Sequence, residues 1–228
     1  MKLSYFELLS PEPVYIEHVG GIISPTLKDI SLIGIQTYQY YVSLLLMEND
    51  VFEALPQNTE LATLFQLTLS FFFREAVTYS ASDNCFIVYA DDKAVGVISK
   101  DNFSSITDLI CQRISMKSKQ TEELSKVKSQ KAMEIMKKLQ KGRAAKAKQT
   151  KADRNLELGN IISAVANKSQ SLNILNIWDL TVFQLWDCFA RISNNNVYDI
   201  QAMSVAAYGN KDNHFDFNSW FKKLNEDN

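Results

Sequence analysis

The stretch TELATLFQLTLSFFF, residues 59–73, decides the fold of the N-terminal region. Thr59 is a good helix N-cap, and the pattern that follows predicts a helix over about 61–77. The leucines and phenylalanines point in nearly every direction around that helix. Because a helix that is apolar all round must be enclosed by other elements, we expect this one to lie at the centre of its domain.

The residues after this helix predict a hairpin and a further helix. Two β-type runs, at 85–89 and 95–98, flank the turn sequence at 91–93. Ser99 or Asp101 then caps a helix with one apolar face. That face comprises Phe103, Ile106, Leu109 and Ile110.

The residues before the central helix predict two short strands and two helices. The β-branched and aromatic runs 14–16 and 21–23 flank a glycine, which fits a small hairpin. A Ser-Pro pair at 24–25 is a helix-start signal, and Gly34 is placed to end that helix. A second helix, rich in Tyr and Leu, is predicted over 35–47.

A lysine-rich segment, residues 113–154, separates this region from the rest of the chain. It holds 14 Lys or Arg and 4 Asp or Glu, a net of +10, whereas the remaining residues carry a net of −12. Its apolar residues form a thin stripe, which predicts a long exposed helix or a linker that orders against a partner. The stripe comprises Leu124, Val127, Ile135 and Leu139.

The C-terminal region recovers a core pattern and predicts three helices. The first covers about 156–165, and the second starts at Asp179 or Thr181. The asparagines at 194–196 should break the second helix and start a third, which Gly209 closes. The apolar residues expected in these two helices are Val182, Leu185, Trp186, Phe189, Ile192, Val197, Ile200, Met203 and Ala207. A final segment carries Phe217, Trp220, Phe221 and Leu224.

These elements predict a mainly α protein with small β-hairpins. We expect a mixed α+β domain at 1–115, a basic helical linker at 116–155 and an all-α domain at 156–228. The 7 glycines and 4 prolines among 228 residues disfavour glycine-rich phosphate loops and turn-rich β-sandwiches. No apolar run approaches the roughly 20 residues that cross a bilayer, and the first residues do not resemble a signal peptide.

One acidic pattern could carry metal chemistry. Asp91, Asp92 and Lys93 contain the D-x-K spacing of a class of metal-dependent nucleases, and Asp83 could be the upstream acid. The same residues are also a common turn sequence, which is the interpretation we favour because they fall between two apolar runs.

The other reactive side chains predict no site. His18 and His214 have neither Cys nor His at ligand spacing, so a zinc site is not expected. Cys85, Cys111 and Cys188 are widely spaced, as is typical of buried or half-buried reduced thiols. No phosphate loop or dinucleotide motif occurs. We therefore expect no enzymatic activity, no cofactor and no metal.

Two parts of the chain resemble the tail assembly chaperones of long-tailed phages and prophages. At the N-terminal end the run SPEPVYIEHVGGIISPTLKDISLIGIQTYQYYVSLLLM is similar to the opening of those proteins. The matching positions there are Pro25, Leu27, Ile30, Gly34, Tyr38 and Tyr41. At the other end IWDLTVFQLWDCFARI, AAYGNK and FNSWFKKL are similar to their C-terminal parts.

The resemblance implies a protein that binds the tape measure protein in the host cytoplasm and helps tail tube subunits assemble around it. Self-association is also compatible with the opposite charges of body and insert. For partner contact we single out Leu124, Val127, Ile135, Leu139, Trp220, Phe221 and Leu224. The alternative function is nucleic-acid binding through 113–154, although that segment lacks aromatic residues for stacking.

Overall fold

The computed structural model describes most of the chain outside the lysine-rich segment. The described residues are 1–47, 51–116, 156–210 and 215–224. The chain divides into two compact units. Unit 1 comprises Met1–Ala152 and Asp179–Phe183, and unit 2 comprises Asp153–Trp178 and Gln184–Asn228. The predicted fold class is confirmed, because the N-terminal part mixes helices with small antiparallel sheets and the C-terminal part is helical.

Unit 1 combines six helices with two small sheets among its described residues. The helices are α1 (Tyr5–Leu9), α2 (Leu27–Ile33), α3 (Ile35–Leu45), α4 (Val51–Ala54), α5 (Thr59–Phe72) and α6 (Lys100–Arg113). The strands are β1 (Val14–Ile16), β2 (Gly20–Ile22), β3 (Ala76–Ser80), β4 (Cys85–Ala90) and β5 (Lys93–Ile98). β1 and β2 form an antiparallel hairpin, and β3, β4 and β5 form an antiparallel sheet in that order.

Helix α5 supplies the centre of the unit 1 core, as the sequence predicts. Phe65, Leu69 and Phe72 are fully buried. The ring of Phe65 lies 6.0 Å from that of Phe103, which in turn lies 5.3 Å from Phe52. The helix is not enclosed on every side, however, because Leu67 is 48% exposed.

The predicted C-terminal end of this helix is wrong. It ends at Phe72, and the last two residues assigned to it, Ala76 and Val77, belong to strand β3 instead. The Phe72 carbonyl accepts a hydrogen bond from the Ile23 N–H at 2.9 Å, so the chain joins β2 where the helix would have continued. Val77 then pairs with Val88 of β4. Pairing across the sheet therefore outweighs the local helix pattern.

Two predicted helix starts shift by one or two residues. Helix α2 begins after Thr26, whose hydroxyl accepts from the Asp29 N–H in a capping box, rather than at the Ser-Pro pair. Helix α5 is capped by Asn58, whose side-chain oxygen accepts from the Leu61 N–H. Gly34 ends α2 as predicted, with φ at +84°.

The C-terminal region contains two long helices among its described residues, α7 (Leu158–Lys168) and α8 (Val182–Tyr208). Ile161, Ile162 and Val165 of α7 are buried. The predicted break at residues 194–196 is wrong, because α8 continues through all three asparagines. Asparagine costs a helix only about 0.7 kcal/mol relative to alanine, and α8 has neither glycine nor proline.

Candidate protein-interaction surface

One side of α8 carries apolar side chains in both halves of the helix, but they are covered only in the first half. Val182 and Leu185 are buried, and Phe189 is half-buried. Further along, the same side carries three exposed residues, the α8 stripe: Val197, Ile200 and Met203, with 55%, 65% and 65% of their surface exposed. An apolar face that loses its cover partway along a helix is typical of a protein-binding surface.

The segment 215–224 folds back onto another side of the same helix. The Arg191 guanidinium donates to the Lys222 carbonyl at 2.7 Å, and the Asn194 amide donates to the Ser219 carbonyl at 3.1 Å. The ring of Tyr198 packs against Phe215 at 5.3 Å. Side chains of α8 therefore hold this segment mainly through its backbone.

The segment presents its largest aromatic rings to solvent. Trp220 and Phe221 form an edge-to-face pair at 5.1 Å, and 53% and 57% of their surface is exposed. We call these two residues the terminal aromatic pair. Leu224 beside them is half-buried. Aromatic side chains that are held by an anchored backbone lose little conformational entropy when a partner covers them.

The two apolar surfaces point in different directions. At about 100° per residue, Arg191, Asn194 and Tyr198 lie roughly 150° around the helix from the centre of the α8 stripe. The residues that hold the segment 215–224 are thus nearly opposite the stripe. A single flat partner surface cannot cover both patches fully.

The sequence-predicted contact residues have different outcomes. Trp220, Phe221 and Leu224 lie together on the segment that α8 holds. Leu124, Val127, Ile135 and Leu139 lie outside the described residues. The α8 stripe is not among the predicted contact residues, because its helical spacing in the sequence is equally typical of a buried core face. The sequence contains a signal for it: if the helix continues through the three asparagines, the apolar side chains before and after them lie on one side of that helix.

One member of the lysine-rich segment is not available to a partner. Arg113, which was counted with the exposed basic residues, is fully buried at the end of α6. Its guanidinium donates to the backbone carbonyls of Glu7, Ser10 and Glu12. Burial lowers the pKa of this arginine, and the nearby Glu7 carboxylate opposes that shift. Arg113 therefore holds the N-terminal segment in place.

The acidic residues that could have formed a metal site lie at opposite ends of a strand. Asp91 and Asp92 form the two-residue turn between β4 and β5, with φ at +48° and +61°, which confirms the predicted hairpin. Asp83 lies before β4, a six-residue strand that spans about 20 Å. The Ser80 hydroxyl donates to the Asp83 carboxylate and lowers its pKa. Across the described residues, no group of three potential metal ligands occurs.

The remaining reactive side chains range from solvent-exposed to fully buried. His18 lies in the β1–β2 turn with its side chain in solvent, and its carbonyl accepts from the Val97 N–H. His214 lies outside the described residues. Cys85 and Cys111 are buried and Cys188 is half-buried, and all three are free thiols. Burial raises the pKa of the Cys111 thiol to about 11, which suppresses its nucleophilic thiolate.

No helix in the described ranges combines the length and the apolar character needed to cross a bilayer. Comparison with known protein families gives a match in the C-terminal part of the chain. Residues 146–225, about a third of the chain, match the family model described as YomV second domain. That family is derived from Bacillus phage, so the C-terminal part of this chain is similar to a phage protein domain. No curated protein and no solved structure matches the chain.

Proposed function

We propose that this protein is a phage tail assembly chaperone, which binds the tape measure protein in the host cytoplasm, keeps it soluble and assists tail tube assembly. The observation that carries the proposal is the α8 stripe, a band of exposed apolar side chains on a well-formed helix. The stripe lies within the region that is similar to a phage-derived domain. The N-terminal resemblance to tail assembly chaperones adds a second, independent line of support.

The chemistry of the surface fits a helical client. A tape measure protein is long and helical, and its apolar stripes are exposed until tail tube subunits cover them. Such stripes aggregate unless another surface shields them. A helix packs its apolar face against another through side chains spaced three or four residues apart, and the residues of the α8 stripe are spaced three apart.

The size of the expected effect follows from the exposed fractions. Complete burial of a Val, Ile or Met side chain contributes about 1.5–3 kcal/mol, and more than half of each stripe residue is still exposed. Covering all three therefore contributes about 3–5 kcal/mol, or a change in affinity of roughly 10²-fold to several thousandfold. Binding of this kind should weaken only slightly with salt.

The test is co-purification with the tape measure protein of the same phage. We expect the tagged wild-type protein to retain the tape measure protein, and a variant with Val197→Ser, Ile200→Ser and Met203→Ser to lose it. Leu32→Ser is the matched control, since Leu32 of α2 is a similarly exposed apolar side chain in unit 1. Equal retention by all three proteins would remove the stripe from the proposal, and no retention by the wild type would refute the function.

A further inference from the structure

Five residues from the C-terminal half of the sequence complete unit 1. We call residues 179–183 the docking segment. The Leu27 N–H donates to the Leu180 carbonyl at 2.9 Å, and the Val182 N–H donates to the Pro25 carbonyl at 3.1 Å. These two bonds flank an antiparallel bridge between Thr26 and Thr181. The docking segment is thus added to unit 1 as a single rung of β-structure.

The side chains of the docking segment are buried more deeply than a surface connection requires. Thr181, Val182 and Phe183 are 1%, 2% and 4% exposed. The ring of Phe183 meets that of Tyr5 edge-to-face at 6.4 Å. Unit 1 therefore contains a built receptor for the Leu-Thr-Val-Phe sequence that leads into α8.

The receptor is separated from its occupant along the chain. Residues 117–178 intervene between the described end of the N-terminal region and the docking segment, and the residues on both sides of the segment belong to unit 2. The hydrogen bonds and buried side chains of the docking segment are the same whether one chain or two supply them. Exchange of an identical element between copies costs little, because it replaces each contact by its equivalent.

We propose that the receptor at Pro25–Leu27 also takes the docking segment of a second copy of this chain, so that neighbouring copies associate by exchanging residues 179–183. The inference does not rest on the proposed function, since it uses only contacts within unit 1. It identifies the partner as the chain itself and the contact as a β-bridge.

The geometry of the bridge provides the test. Thr26 and Thr181 form a non-hydrogen-bonded antiparallel pair, in which Cα atoms lie about 4.5 Å apart, close enough for a disulfide. Two differently tagged full-length chains, one with Thr26→Cys and one with Thr181→Cys, are co-expressed in a Cys188→Ser background. The purified protein is then oxidised at several concentrations. A single chain carrying both substitutions reports whether the bridge itself tolerates the cysteines.

We expect a disulfide-linked heterodimer that carries both tags and a peptide joining positions 26 and 181. Its yield should rise with protein concentration and exceed by about tenfold the yield from Thr26→Cys paired with Ser193→Cys, a control at an exposed position. Intramolecular linkage in the double variant without any heterodimer would overturn the exchange. Equal linkage in the control pair would show that the disulfide forms by random collision and would refute the exchange. Failure of the double variant to form its intramolecular disulfide would refute the contact between Thr26 and Thr181.

Discussion

Replacement of Arg113 tests how the N-terminal segment is held to unit 1. The fully buried guanidinium donates through Nη1 to the Glu7 and Ser10 carbonyls and through Nη2 to the Glu12 carbonyl at 2.9 Å. The Ser24 hydroxyl donates to the Arg113 carbonyl, which ties the same turn to the start of α2. Nε is buried without a hydrogen-bond partner.

The magnitude follows from opposing contributions. Three hydrogen bonds from a charged donor contribute about 1.5–3 kcal/mol each, but desolvation of the buried cation offsets several kcal/mol of that sum. Arg113→Met removes both contributions and releases the N-terminal segment, in which Leu3 is buried. We therefore expect a loss of about 2–4 kcal/mol in the free energy of unfolding.

Arg113→Lys gives the sharper comparison. Lysine keeps a charge at the buried position, yet its compact ammonium group lacks the planar fork that reaches three carbonyls. We expect this variant to be less stable than Arg113→Met by about 1 kcal/mol or more, because a buried charge is left poorly paired. If the Arg113 site were only a hydrophobic cavity without specific hydrogen bonds, the relative stabilities of the Met and Lys variants would depend only on the volume and polarity of the new side chain.

The assay combines urea unfolding with hydrogen exchange. Both variants should lower the unfolding midpoint, and the gain in exchange should be largest in residues 1–13. The account of Arg113 is refuted if the lysine variant matches the wild type in stability. It is also refuted if exchange rises throughout unit 1 while the N-terminal residues keep their protection.

Further predictions concern backbone space, turn geometry and thiol reactivity. Gly96→Ala should destabilise the protein by about 1–3 kcal/mol, because the new Cβ would lie 2.4 Å from the Val19 carbonyl oxygen. Gly159→Ala in α7 places its Cβ in open space and should stabilise the protein by about 0.5–1 kcal/mol. Thermal unfolding of both variants checks that the two effects have opposite signs. Asp92→Gly should raise stability by a few tenths of a kcal/mol, since glycine adopts its positive φ without strain; an unchanged or lower midpoint would contradict this. In the native protein a thiol reagent should modify half-buried Cys188 about tenfold faster or more than Cys111, and equal rates would count against the burial described for these two thiols.

Much of the fold could be predicted because the deciding signals are local. The central helix, the β4–β5 hairpin and the glycine that ends α2 each follow from the pattern of a few neighbouring residues. The end of α5 could not be predicted in the same way. The helix ends at Phe72 because the carbonyl of this residue accepts a hydrogen bond from the Ile23 N–H, and Ile23 is far away in the sequence.

The site was predicted only in part for a related reason. Periodicity shows that Val197, Ile200 and Met203 share a helix face, but it cannot show whether anything covers that face. The three asparagines also suggested a break, although the helix continues through them and Asn194 bonds to the Ser219 carbonyl. Charge counting similarly placed Arg113 with the exposed lysines, because composition carries no information on burial.

The soluble fraction of the tape measure protein is the most direct measure of the central claim. The tape measure protein is expressed alone, with the wild-type chain, with the α8 stripe variant and with the Leu32→Ser control, and each lysate is separated by centrifugation. The account predicts that the wild type and the control move most of the tape measure protein from the pellet to the supernatant, while the stripe variant leaves it in the pellet. An unchanged soluble fraction in the presence of the wild-type chain would contradict the account.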